Sequence, residues 1–467
     1  MIPVLQSRWR LEGNRLVYYG LRNAPNTLRR KLKVTPSEAR AIAALDGSVP
    51  LKELPDGGRA LRRLVKLGIV VDRSARRRAP ASLEEARFCR RCAANDFAIP
   101  GLEFSADGLC PICQTERRFR PCKNVTPVHT SLPRSPGRRY DAAVFYTGGK
   151  DSSYLLYHLA KVQKLRVLAL CWETPYMSPW ARESVEHARE ALPEVDFLVE
   201  KAPEQELKAI YRELYRLQRN VCLCPAVAYV LFLPRLVQWK VPYLVLGTEP
   251  AQCKNFIYNN FAPAFYYRPW IQALARFGFN LWRVVTLRPP MGPGEVECYM
   301  MMRQYLMPPG AGRRGLLHNE MMANIAAALA QAPALLAPFR ETVERAKRKG
   351  GLPNLVHLDL DAVAGGVYRW NEIKEILARE IGWVDAPVEG KGLHTSCSIE
   401  RCKEYAQMVS FRDMESRVIP FSAVEMALAS ASGTVSREEA VRELKEHSGF
   451  TPEPPPEWAD MVGFFQD

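Results

Sequence analysis

The chain has 467 residues, too many for one compact core, and its 47% hydrophobic and 25% charged content excludes a disordered or fibrous polymer. No apolar run is long enough to span a membrane. Met1-Ile-Pro-Val-Leu-Gln-Ser-Arg8 lacks the charged start and long apolar core of a signal peptide, so the expected location is cytoplasmic. Residues 1–140 hold 28 Lys+Arg against 12 Asp+Glu, while the remainder is balanced to within one charge. Such a front end suits RNA or another anionic partner, with Arg-rich solubility as the equal alternative. Twelve cysteines without a secretory leader point to thiols, metal ligands or catalysis rather than a disulfide framework.

Residues 1–80 read as a small basic, winged-helix-like module. Thr35-Pro36-Ser37-Glu38 is a capping box, Leu61, Leu64, Val65 and Leu67 mark a second helix, and Ile69-Val70-Val71 is a strand. Modules of this shape resemble the peptide- or nucleic-acid-reading domains attached to modifying enzymes, and a plain docking domain is the blander reading. Residues 81–125 carry Cys89-Arg-Arg-Cys92 and Cys110-Pro-Ile-Cys113, separated by 17 residues. Two such knuckles place four thiolates around one structural Zn²⁺, and an iron–sulfur cluster is the competing reading. Cys122 reads as an ordinary thiol, with a stray metal ligand as the rarer alternative.

An α/β pattern begins near residue 138 and runs to 255. Ala142 to Tyr146, Leu165 to Cys171, Val195 to Val199 and Tyr243 to Gly247 are predicted strands. Helices alternate with them from Ser178-Pro179, across 204–218 and across 225–239. That alternation predicts a parallel sheet with ligands beyond the strand C-termini. The first strand runs into Thr147-Gly148-Gly149-Lys150-Asp151-Ser152-Ser153 and then a helix. Backbone N–H groups and the helix dipole at such a corner suit a phosphate. The glycines are expected to allow positive φ and close approach of the anion. Cys222-Leu-Cys224 precedes a helix, so its thiols are expected to have lowered pKa values.

Residues 256–350 read as an aromatic-rich, helical insertion or lid. Ten aromatics fall within 256–282, and they suit core packing or stacking on a sugar, a base or a lipid carrier's head region. Residues 308–315 are a candidate flexible lid. Residues 351–467 read as a helical C-terminal region containing His394 and Cys397, a candidate catalytic pair.

The 147–153 turn resembles the Ser-Gly-Gly-x-Asp-Ser signature of the PP-loop ATP pyrophosphatases, with Thr147 in the first Ser position. The resemblance implies a Rossmann-like (HUP-type) sheet and ATP cleaved between its α- and β-phosphates. Thr147, Gly148, Gly149, Ser152 and Ser153 would hold pyrophosphate, Lys150 would add charge, and Asp151 would bind or orient Mg²⁺; Gly247-Thr248-Glu249, at the end of the fourth predicted strand, falls where sheets of this kind bind ligands. Zinc knuckles ahead of that loop, with Tyr368-Arg-Trp370-Asn371-Glu372 and Lys391-Gly-Leu-His394-Thr-Ser-Cys397 behind it, resemble the N-acetyl sugar amidotransferases. That order implies adenylation of an amide or carbonyl oxygen on a sugar-nucleotide or other small acceptor, then attack by ammonia from a separate glutaminase subunit. The rival expectation is sulfur insertion into tRNA, a small molecule or a peptide through Cys222, Cys224 or Cys397. In thiolating members of the superfamily, cysteines near Cys222 carry persulfide or bind a cluster. A catalytically idle binding scaffold is the third reading.

Overall fold

A computed structural model of the chain describes residues 1–21, 31–119, 123–308, 319–387 and 391–466. The N-terminal module has a small core of its own, with Leu16, Val34, Ile42, Leu61, Leu64 and Val70 buried together. Strands β1 (Pro3–Leu5) and β5 (Val70–Asp72) pair antiparallel, while β2 (Trp9–Glu12), β3 (Arg15–Tyr18) and β4 (Lys31–Lys33) form an antiparallel meander. The predicted capping box at Thr35 is present and starts the helix Pro36–Ala43. Arg8 fastens the module to the rest of the chain. Its guanidinium sits 4.0 Å over the Phe411 ring and donates to the Arg412 carbonyl.

The central sheet has six strands: β6 (Val128–His129), β7 (Ala142–Phe145), β8 (Val167–Trp172), β9 (Asp196–Glu200), β10 (Tyr243–Leu246) and β11 (Asn354–Leu358). They lie in the order β6-β11-β10-β7-β8-β9, and every pair is parallel. Alternation along the strands feeds two cores. Ala143, Leu168, Leu170 and Leu244 enter one, and Ala142, Val144, Val167, Ala169 and Val245 enter the other. A sheet covered by helices on both faces must be apolar on both, which explains the near-continuous hydrophobic runs.

Four of these strands stand where the sequence places them. The other two do not. β11 rises from the region read as helical, so 351–467 supplies a strand as well as the helices Trp370–Ile381, Glu400–Arg412, Phe421–Ser432, Arg437–His447 and Trp458–Gln466. The insertion contributes the helices Pro269–Val285, Glu295–Tyr305, Glu320–Leu329 and Pro333–Lys349. Apart from Pro308, the candidate 308–315 lid lies outside the described residues.

The chain steps from β7 outward to β8 and β9, then returns to place β10 and β11 on the other side of β7. The order therefore reverses between β7 and β10, and a crevice opens there beyond the strand C-termini. Among the described residues, no single helix is long and apolar enough to cross a membrane.

Candidate active site

A cavity of about 510 Å³ lies at this reversal. Thr147, Gly149, Lys150, Asp151 and Ser152 line it from the end of β7, and Gly247, Thr248 and Glu249 from the end of β10. Cys222, Cys224, His394 and Cys397 line it too. Gly148 and Ser153 do not. Ser153 is fully buried, with its hydroxyl 3.4 Å from the Tyr146 hydroxyl, and the Gly148 carbonyl accepts from Trp383 Nε1 at 2.9 Å.

The two loop glycines differ. Gly148 has φ +70°, and a Cβ there would lie 2.2 Å from the Ala181 carbonyl oxygen, so only glycine fits. Gly149 has φ −77°, and a Cβ would meet only ordinary contacts at 3.4–3.5 Å with Thr147 and Ser396. Positive φ thus accounts for one glycine, and open space on the cavity side for the other. At Gly247 a Cβ would press on Leu155 at 2.9 Å, so this glycine lets β10 approach the helix Lys150–Tyr157. The Ser152 hydroxyl closes the turn by donating to the Gly149 carbonyl at 3.0 Å and accepting from the Thr147 N–H at 3.3 Å.

Lys150 is clamped. Its ammonium pairs with Asp151 and lies 3.4 Å from Glu249 Oε2, with the Tyr368 ring 4.5 Å and the Trp370 ring 5.1 Å away. Burial works against its charge, but Asp151 and Glu249 outweigh that and raise its pKa above the ordinary lysine value. The Tyr368 hydroxyl donates to Asp151 at 2.9 Å, and Trp370 Nε1 donates to Glu249 Oε2 at 2.7 Å. Burial pushes the Glu249 carboxyl up to about 8, against the pull of Lys150 and with help from Asp151 and Glu425. Its other oxygen is buried with no hydrogen-bond partner among the described residues, as are Trp172 Nε1 and Ser422 Oγ on the same cavity wall. Unpaired buried polar atoms are rare in folded proteins, and three around one cavity suit a polar ligand.

Residues 394–398 lie across the top of the loop. Ser178 donates its N–H to the Ser396 carbonyl and its hydroxyl to the Thr395 carbonyl, and Ser398 N–H donates to the Tyr176 carbonyl. This strap sets His394 between two carboxylates, with Nδ1 2.6 Å from Glu400 and Nε2 2.9 Å from Glu425. Burial lowers its pKa, but the two carboxylates win and raise it well above the ordinary histidine value. A doubly bonded imidazolium has no free lone pair, so His394 is a fixed cation here and not a poised base.

The thiol expectation is overturned. Burial raises the pKa values of Cys222 and Cys224 despite the helix N-terminus, and pushes Cys397 up to about 12. Desolvation of the thiolate outweighs the dipole. The three thiols are close enough that Cys222 and Cys397 each raise the pKa of Cys224 further. Cys402, by contrast, is buried in the hydrophobic core.

Cys89, Cys92, Cys110 and Cys113 converge with all four sulfurs within 4.8 Å of one another. The Cys89–Cys113 and Cys92–Cys110 separations are 3.8 and 3.5 Å. Metal–sulfur bonds of about 2.3 Å in a tetrahedron require sulfurs about 3.8 Å apart, so the four fit one Zn²⁺ and are too close to frame a multi-iron cluster. Backbone N–H groups of Arg91, Ala94 and Cys110 point at the sulfurs, as a bound cation's thiolates need. The knuckle packs on the helix Phe421–Ser432, where Ser430 Oγ accepts from the Ala93 N–H at 3.0 Å.

Trp370, Tyr368, Glu400 and Glu425 are not among the residues expected at the site, whereas Glu249 closes the Gly247-Thr248-Glu249 stretch expected at the ligand end of the sheet. All four belong to segments far from the loop in sequence, and the Tyr368–Glu372 pattern hinted at two of them.

No family model and no curated protein matches the chain. Among solved structures, the chain is similar to U34-tRNA thiolase NcsA from Methanococcus maripaludis with its [4Fe-4S] cluster. The match has 14% identity and a TM-score of 0.21, and covers 65% of this chain and 91% of that one. At that score the likeness decides nothing about chemistry.

Proposed function

We propose that the protein is an ATP pyrophosphatase of the PP-loop type that adenylates an oxygen of its acceptor and then replaces that oxygen with sulfur. The observation carrying this reading is that Cys222, Cys224 and Cys397 line the same cavity as the Thr147–Ser152 turn. In the first half-reaction a carbonyl or amide oxygen attacks the α-phosphorus of ATP. The bond to the β-phosphate oxygen breaks and pyrophosphate leaves, with Lys150 and the loop N–H groups stabilising the developing charge. ATP and Mg²⁺ belong to this proposal, with Asp151 as the carboxylate suited to the metal.

In the second half-reaction a persulfide sulfur on one thiol attacks the activated carbon, and AMP departs with the oxygen. A second cysteine thiolate then attacks the Sγ of the carrier cysteine, so the Sγ–S bond breaks, a disulfide forms between the two cysteines, and the thiolated product leaves with the transferred sulfur. An external persulfide donor passes its outer, sulfane sulfur to the first thiol and leaves as a thiol, and two equivalents of an external thiol reduce the disulfide. Two nearby cysteines are the minimum this sequence needs, and three are at hand. Their raised pKa values keep them as thiols until loaded. The alternative carrier is an iron–sulfur cluster held by the same three thiols.

The test is nucleotide and product mass spectrometry with candidate tRNA, peptide and sugar-nucleotide acceptors. AMP, pyrophosphate and a mass gain of one sulfur for one oxygen support the reading. Loss of the sulfur product in Cys222→Ser and Cys397→Ser, with pyrophosphate release retained, locates the carrier. Iron and sulfide analysis separates cluster from persulfide.

A second reading, ammonia transfer, is favoured by one observation. The unpaired buried oxygen of Glu249 suits a hydrogen-bond acceptor for an incoming ammonium ion or ammonia. It predicts turnover with ammonium, an intact rate in both cysteine variants, and a separate glutaminase as partner.

A further inference from the structure

The helix Pro269–Val285 is turned inside out. Its polar side chains face the protein: Gln272 and Arg283 are buried, Gln272 donates to the Asn124 carbonyl, Arg276 pairs with Glu297 at 2.6 Å, and Arg283 donates to the Pro289 and Lys347 carbonyls. Its apolar side chains face outward. Trp270, Leu274, Phe277, Leu281 and Val284 recur at helical spacing on the open face, with Trp270 63% and Phe277 67% exposed, and Leu287 just beyond is 95% exposed. The core-packing expectation for this aromatic stretch therefore holds for Phe256, Tyr258 and Tyr267 but not for Trp270, Phe277 and Trp282 on the helix. A contiguous exposed apolar stripe on a soluble surface marks a binding face.

The charge around the stripe names its occupant. Residues 250–294 contain no Asp or Glu, and of their five Lys or Arg, Arg276 and Arg283 turn inward while Arg268 and Arg288 flank the stripe. Arg268 is exposed at the N-terminal end, and at the C-terminal end Arg288 lies 4.9 Å over the Trp282 ring. The Arg283 bond to the Lys347 carbonyl brings the basic run Lys347-Arg348-Lys349 to that same end, where the acidic neighbours are Glu344, 3.6 Å from Lys347, and Glu295, which accepts from the Gly351 N–H. A second copy docked about a two-fold axis would set these like-charged rims against each other. An anionic lipid surface would not. It accepts an apolar helix face to the depth of the acyl boundary, seats tryptophans at the headgroups and attracts the flanking cations.

We infer that Pro269–Val285 is an interfacial helix that docks the protein, in the plane of the bilayer, on anionic phospholipid membranes. At 17 residues it runs for about 25 Å along that plane. Its Gln272 bond to Asn124, a cavity-wall residue, brings the active-site rim beside the membrane. The inference is independent of which atom the enzyme transfers.

The test is flotation of the full chain with vesicles of phosphatidylcholine, alone or mixed with phosphatidylglycerol, at low and high salt. Binding is expected to the mixed vesicles, weaker at high salt, with a blue shift of tryptophan emission. Phe277→Ser with Leu281→Ser, both at exposed positions, is expected to weaken partitioning at least about tenfold, and Arg288→Ala to reduce its salt dependence. No binding to the mixed vesicles at low salt would overturn the inference. So would a dimer in light scattering that the double substitution dissolves, because the stripe would then be a protein interface.

Discussion

Lys150 and Glu249 meet across the point where the sheet reverses direction, the ammonium 3.4 Å from the carboxylate, one following β7 and the other following β10. The pair joins the two strand ends that must act together if a nucleotide lies between them. It also leaves one Glu249 oxygen unpaired in a buried site. Lys150→Ala is expected to lower pyrophosphate release at least about a hundredfold, because a preorganised charge at the phosphates is removed. Acceptor binding should change little. An unchanged rate, measured by coupled pyrophosphate assay, would detach this lysine from the chemistry.

Glu249 also predicts a pH dependence. Its folded pKa, raised to about 8, exceeds the ordinary glutamate value of 4.5, so between the two the folded state holds a proton the unfolded chain has released. That contribution to stability is complete below 4.5 and disappears as the pH rises through about 8. Glu249→Gln should therefore flatten the fall in denaturation midpoint across this window. A parallel pH profile in wild type and variant would refute the assignment.

His394 carries the same sign from a different cause. Its folded pKa is raised by Glu425 and Glu400 against burial, so its stabilising charge is present below its unfolded pKa of about 6.5 and is lost as the pH climbs through the folded value. Removing it leaves two buried carboxylates facing each other. His394→Ala should cost on the order of 2 kcal/mol. Chemical denaturation measures it, and a neutral result would mean the imidazole is not charged.

The two loop glycines should behave differently. Gly148→Ala meets the Ala181 backbone at 2.2 Å with φ at +70° and is expected to destabilise by more than about 1 kcal/mol. Gly149→Ala has room and an ordinary φ, so the fold should survive while nucleotide affinity drops. Thermal melts paired with nucleotide titration separate the two effects.

Zinc should act at a distance from the cavity. The helix Phe421–Ser432 holds the knuckle through Ser430 and reaches the cavity wall through Glu425. Stripping the metal, or Cys110→Ser, should lower the melting temperature by several degrees and weaken nucleotide binding together. Elemental analysis should find one zinc per chain. Metal-free protein with an unchanged melting curve would show that the four thiols need no ion.

Much of this architecture is legible in local sequence because local rules fix it. The runs at 142–145, 167–172 and 243–246 are apolar on both faces, as parallel strands must be, and Thr35 to Glu38 dictates its own helix start. β11 escaped because Asn354 and His357 interrupt its apolar run and its partner β10 lies more than a hundred residues upstream. The site suffered similarly, since Glu249, Glu425 and Trp370 meet Lys150 and His394 only through the tertiary fold. The thiols at 222 and 224 misled because helix position is visible in sequence and desolvation is not. Pro269–Val285 misled for the opposite reason. Its amphipathic pattern is plain, but nothing local says which face meets the protein.

The most direct measurement is a crystal structure with Mg²⁺ and a non-cleavable α,β-methylene analogue of ATP. The account predicts its β- and γ-phosphates against the backbone of residues 147–152, with the α-phosphorus open toward Cys222, Cys224 and Cys397. A nucleotide bound elsewhere, or a γ-phosphate presented to the cavity with the α-phosphorus buried, would contradict it.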